Sequence, residues 1–348
     1  MARSHCEELT HIVHRYFIWI VIGSYIAAAL APAAGVALQK VRLLDTGAGG
    51  APVTATMLML FLLLFNAGLG TNAGEIQTLA RRPGVLAIGA LGNFLVPLIF
   101  IVAASFTLAA WHNSDETQQI LTGLAFVAAM PIAGASTAWA QTANGNMSLS
   151  IGLVLTTTAL SPLLTPAVLH AVAGLTTGDY SEDLHELAAG NSMSFLGMWV
   201  FAPSILGVLA GRLIGETAKS RAKPYLKLSN YGMVVLLNYA NASLSLPQVA
   251  RNPDLDFLAI MLLVILFLCV TAFAAGWLCA RVSGADAEET ASLTFALGMN
   301  NNGAGLSLAT TAMPDHAGVL LPVIFYNLAQ HFVAALADRS LFQRKAAR

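Results

Sequence analysis

Two stretches of an otherwise apolar chain carry groups able to hold a ligand. Residues 298–305 read GMNNNGAG, with Asn300, Asn301 and Asn302 as three successive carboxamides between glycines. Residues 130–137 read MPIAGAST, a proline followed by small residues and the hydroxyls of Ser136 and Thr137. Proline or glycine-bracketed asparagine interrupts the helical hydrogen-bond ladder and frees backbone N–H and C=O groups. Such a break persists at membrane depth only against protein, water, an ion or a substrate. Where two half-helices meet, their N-terminal ends favour an anion and their freed carbonyls a cation. The chemistry expected is binding, with the amides lining a site.

Other reactive residue types point less far. Asn66, Asn238 and Asn241 stand singly and read as interhelical hydrogen bonds, each worth about 0.6 kcal/mol. His5, His11 and His14 fall in a polar N-terminal end, without the firm ligand set that zinc sites want. Cys6, Cys269 and Cys279 lack metal-ligand or redox spacing and read as free thiols. No phosphate-cradling G-x-x-x-x-G-K-[ST] loop, H-E-x-x-H pair or G-x-S-x-G elbow occurs, so neither ATP-driven pumping nor an enzyme is indicated. No cofactor is expected.

The elements that must position these residues are membrane helices. Of the 348 residues 57% are hydrophobic and 10% charged, with a mean hydropathy of +0.70. A net charge of −1 gives no bulk electrostatic case for nucleic acid. Apolar runs of roughly 20 residues, long enough to cross hydrocarbon, fall near 16–38, 52–74, 83–110, 118–145, 147–175, 192–214, 229–248, 255–280, 287–313 and 317–338. The first run is not closely followed by a small-residue cleavage site and reads as a retained span. With the N-terminus inside, 14 of the 17 Lys and Arg residues fall in cytoplasmic segments. Both termini are then cytoplasmic in a multi-pass protein of the cell's inner membrane. Acidic stretches at 112–116 and 179–186 lie outside, and 176–191 reads as an external loop linking the halves.

Ten spans divide into two sets of five, residues 1–175 and 192–348, and because five is odd the second set is inverted. Inverted repeats with interrupted helices in corresponding positions are typical of secondary transporters. The fourth and ninth runs hold MPIAGAST and GMNNNGAG. The expected fold is an all-α polytopic protein with discontinuous helices 4 and 9 crossing.

With these residues in view, the chain resembles the bile acid:sodium symporter family and its bacterial homologues. MPIAGASTAWAQTANGNMSLSIG (130–152), ALSPLLTPAV (159–168) and GMNNNGAGLSLA (298–309) carry the likeness. The resemblance implies a panel domain of spans 1, 2, 6 and 7 and a core domain of spans 3–5 and 8–10. It further implies sodium ions behind the crossing and an amphipathic organic anion in a cavity between the domains. One implied cation site takes Ser136, Thr137, Ser150, Val154 and Ala296; the other takes Asn93, Ala296, Leu297, Met299 and Asn300, the last three partly through carbonyls. Gly134, Asn301, Asn302 and His331 would face substrate. The chain departs from the family where Ala296 replaces a shared acidic ligand and Val154 a hydroxyl.

These departures leave the coupling ion open between Na⁺ and H⁺. His331 could carry charge, since histidine titrates within reach of physiological pH. It could equally be a neutral strut bonded to Asn301 or Tyr326. The function expected is secondary active transport of an organic anion, bile-acid-like or a small carboxylate. The alternative is a transport-inactive receptor or scaffold that binds ligand. Metalloid efflux would require a thiol in the fourth span, and residues 118–145 hold none.

Overall fold

The computed structural model describes residues 2–44, 53–71, 83–214 and 216–343. Apart from a two-stranded hairpin pairing Arg42–Leu44 with Val53–Thr54, the described residues are helical with short connections. The chain forms two compact units, one of residues 1–72 and 197–254, the other of residues 73–196 and 255–348.

In the first unit the Ala2–Leu30 helix turns at Pro32, and from Arg15 onward it meets Ala33–Lys40 at 92°. Thr54 caps the Ala55–Leu69 helix by accepting from Met57 N at 3.3 Å. That helix packs on Ala202–Ile214 through glycines. A Cβ on Gly68 would strike the Ser204 carbonyl, and one on Gly207 the Phe65 carbonyl. Small residues at such points let backbones approach in the absence of a hydrophobic drive between membrane helices. Asn66 donates to Asn230 at 2.9 Å, and Asn241 accepts from Gln39. These are interhelical bonds of the expected kind.

The second unit holds the Pro83–Leu108, Met147–Ala173, Leu255–Val282 and Leu320–Ala337 helices. It also contains two helices that stop and restart: Ser114–Ala128 followed by Ala135–Thr142, and Ala287–Gly298 followed by Asn302–Ala312. Among the described residues of the whole chain, five helical stretches are long and apolar enough to cross a membrane, or six with the bent pair at Pro32. Of the remaining expected runs, 52–74 forms the shorter Ala55–Leu69 helix and 229–248 largely falls inside the longer Glu216–Ala242 helix.

The 176–191 segment is not a loop. Gly178, with φ of +61°, starts the Asp179–Glu186 helix, and helical turns continue to Ile214 after a kink at Gly190, where φ is 172° and ψ −30°. Asp179 and Glu182 sit in the first turn, where the helix dipole favours negative charge. Tyr180 and Leu184, one turn apart, are buried and fix the helix against its neighbours. Their four-residue spacing is hidden among four acidic residues.

Candidate functional site

Each interrupted helix ends for a local reason. Ser114–Ala128 is capped by Asn113, whose side chain accepts from Asp115 N at 3.1 Å, and it stops three residues before Pro131. Ala287–Gly298 opens with a capping box: Glu289 N donates to Asp286 at 2.8 Å, and Asp286 N to the Glu289 carboxylate at 3.1 Å. It ends where Met299 turns extended. Gly298 lies against the Phe273 ring so closely that a Cβ would overlap it. Asn301 then caps Asn302–Ala312, its side-chain oxygen accepting from Ala304 N at 3.3 Å.

The two breaks meet. Ile132 and Asn300 pair as an antiparallel bridge, Ala133 N donating to Met299 O and Asn301 N to Pro131 O, both at 2.9 Å. Side chains answer much of the rest of the interrupted backbone. Thr157 Oγ1 accepts from Ile132 N at 3.1 Å, and Gln330 Oε1 from Asn300 N at 3.1 Å. Asn93 Nδ2 donates to Met130 O at 3.1 Å, and Asn300 Nδ2 to Val127 O at 2.8 Å. The Thr165 hydroxyl donates to Ala129 O, and the Tyr326 hydroxyl to Gly298 O at 3.3 Å. An unsatisfied backbone group in a dry interior costs several kcal/mol, so this accounting is what lets the breaks exist.

The groups left over are mainly side-chain atoms. Asn93 Oδ1, Ser136 Oγ, Ser150 Oγ, Asn300 Oδ1 and both polar atoms of Asn302 are buried without a hydrogen-bond partner. Their residues are at most 1% exposed. Neutral oxygens in a dry place are suited to a hard cation, and each is costly to leave unmet. The Met299 carbonyl retains one lone pair beyond the bond from Ala133. Leu297 and Met299 are buried beside these atoms in sequence, on either side of Gly298.

Ser136 is tied to the crossing through Ser136 N and Ala133 O at 3.0 Å. The start of the Ser150 helix is tied to the second broken helix: Asn146 N donates to Glu288 O at 3.0 Å, and Ser292 Oγ to Asn146 O at 2.9 Å. Thr137 bonds within its own turn, to Gly134 O at 2.7 Å, and Gly134 is exposed.

Ala296 and Val154 belong to a different environment. Ala296 is buried in an apolar cluster with Val85, Ile132, Leu149, Leu153, Leu293 and Leu297, and Val154 packs against that cluster. Hydrocarbon stands where the resemblance placed an acidic and a hydroxyl ligand. Glu289 does not replace the lost carboxylate, since its side chain serves the helix cap.

Asn302, expected to face substrate, is buried, whereas Asn301 and His331 are half-buried. The hydroxyl of Tyr326 goes to Gly298, and the side-chain oxygen of Asn301 to the cap. The side chains of His5, His11, His14 and Cys6 lie outside the described residues. Cys269 and Cys279 are free thiols. Thr157, Thr165 and Gln330 help hold the crossing together without a sequence motif to mark them, and Tyr326, which the sequence suggests only as a partner of His331, bonds Gly298 O instead. The one visible signal was Gln330, a carboxamide in an apolar run, overshadowed by the adjacent His331.

Residues 57–252 match the Sodium Bile acid symporter family, a stretch that includes the first break. A Bacillus subtilis (strain 168) protein described as "Uncharacterized protein YbaS" is 32% identical over 250 residues, covering 70% of this chain and 76% of that protein. "Uncharacterized sodium-dependent transporter YocS" of the same organism is 22% identical over 291 residues, covering 83% and 84%. The chain is thus a multi-pass membrane protein of a transporter family rather than an enzyme, and it belongs to the sodium bile acid symporter family.

Proposed function

We propose that the protein is a sodium-coupled secondary transporter of an organic anion, bile-acid-like or a small carboxylate, working by alternating access. Its ten crossings form two inverted five-span halves with both termini cytoplasmic, and residues 73–196 with 255–348 act as the moving unit that carries the site. The observation that carries this reading is the bridge between Ile132 and Asn300, with unpartnered buried oxygens on Asn93 and Asn300, whose amides bond the first break. The sodium dependence in the description of YocS supports the choice of ion. Asn93, Ser136, Ser150 and Asn300 supply neutral oxygens, with Thr137 and the backbone at Leu297 and Met299 completing the cation shell.

Asn301 and His331 face the substrate, and Gly134 leaves room beside them. A cation bound behind the crossing offsets the negative charge of the substrate, so the two bind together. Hydrocarbon around Ala296 and Val154 takes the place of the carboxylate shared by both family sodium sites and of a hydroxyl in one of them, and the remaining neutral oxygens make one site without a carboxylate. That same loss favours the second reading, a receptor that binds ligand without cycling.

Uptake into proteoliposomes of a labelled bile acid and a labelled small carboxylate tests both. A sodium gradient should stimulate uptake where a proton gradient or neither does not. Binding of either probe without exchange across the bilayer would establish the receptor reading instead.

A further inference from the structure

The geometry points to a transition-metal site formed by His170 and His185, where the Met147–Ala173 helix gives way to Asp179–Glu186. The two Nδ1 atoms lie 3.1 Å apart, with ring centroids separated by 4.8 Å and planes inclined at 65°. Two imidazole nitrogens at about 2.0–2.1 Å from one metal ion are roughly 2.9 Å apart at a right angle and roughly 3.4 Å apart at the tetrahedral angle. The observed separation falls within that interval. Both rings are exposed and open to an ion from solution.

The approach is built into the fold. Ser181 Oγ donates to Ala173 O at 2.8 Å, tying the short helix to the end of the long one. Thr177 N donates to the Gln118 side chain at 2.9 Å, and Tyr180 OH to Asp115 at 2.9 Å. With Tyr180 and Leu184 buried beneath it, the short helix presents His185 from a fixed position, as a chelate requires.

A plain N–H to N hydrogen bond between two neutral rings would also bring the nitrogens close. In contact with water such a bond gains little, and two basic nitrogens must share one proton. A metal ion replaces that proton and uses both lone pairs. Among the described residues no third His, Cys, Asp or Glu joins the pair, so water completes the coordination and the ion is exchangeable. Affinity should follow the usual order for imidazole sites, with Cu²⁺ above Ni²⁺ and Zn²⁺. The bound ion would pin the segment joining residues 1–175 to 192–348 onto the helix before it.

The test uses the full-length protein, affinity tag removed, with His5, His11 and His14 replaced by alanine, titrated with Cu²⁺ and followed by electron paramagnetic resonance. One equivalent should bind with coupling to two nitrogens. His170→Ala or His185→Ala should weaken binding by at least about 10-fold, the smaller loss typical of even an outer-shell change. His170→Gln keeps hydrogen-bonding capacity at that position and should lose the ion as well. His316→Ala, at a histidine 3.6 Å from Asp183, should leave binding unchanged. A spectrum and stoichiometry unaltered in the His170→Ala/His185→Ala protein, or no specific binding by the parent, would overturn the assignment.

Discussion

Around Ala296 the crossing is hydrocarbon, with Leu293, Leu297, Leu153 and Ile132 closing on a residue only 1% exposed. Around Asn300, four residues further along, Asn93, Thr157 and Gln330 bring three more polar side chains to the two paired breaks. Both regions are buried, so depth alone does not decide what a membrane protein places there. A backbone that remains helical, as at Ala296, satisfies itself and tolerates apolar neighbours. An interrupted backbone recruits side-chain amides and hydroxyls to close its hydrogen bonds. Amides have more bonding capacity than the repair uses, and the surplus oxygens are what a cation would find.

This contrast can be broken from either side. Ala296→Glu restores the family's carboxylate inside the apolar cluster. It should cost about 3–5 kcal/mol in sodium-free buffer, as for an uncompensated buried charge. Part of that loss should return at high sodium, measured by thermal unfolding in detergent. Equal stability with and without sodium would show that the cluster stands apart from any cation site.

Asn300→Ala takes the carboxamide donor from Val127 O, which keeps the longer 3.4 Å bond from Met130 N, and removes the surplus oxygen. It should cost about 1–3 kcal/mol and abolish sodium-stimulated uptake. Asn301→Ala removes a helix cap worth about 0.5–2 kcal/mol. Uptake should be lost while expression is retained, and unchanged transport would remove Asn301 from the site. The smallest effect is expected for His331→Gln, which keeps a hydrogen-bonding group at the substrate face, so uptake should be retained and remain driven by sodium, because the driving ion is not a proton. A loss of uptake specific to a proton gradient would reverse that choice.

The breaks themselves were legible because their causes are local. Pro131 has no N–H to give, and three asparagines between glycines compete with the helical ladder wherever they occur. Their partners were not legible, since Asn300 bonds a carbonyl 173 residues away and Gln330 and Thr157 sit in runs that scan as continuous helix. Asn302, which the resemblance places at the substrate face, is buried for a geometric reason. Consecutive residues of a helix point about 100° apart, so the neighbour of a half-exposed cap can be wholly inside. Composition likewise hid the Asp179–Glu186 helix, whose acidic face masked two anchoring residues.

Equilibrium binding of radiosodium to the purified protein tests the central claim most directly. One saturable sodium per chain should bind to the wild type, and binding should disappear in Asn93→Ala and Asn300→Ala. Absence of saturable binding in the wild type, or full binding in both variants, would contradict it.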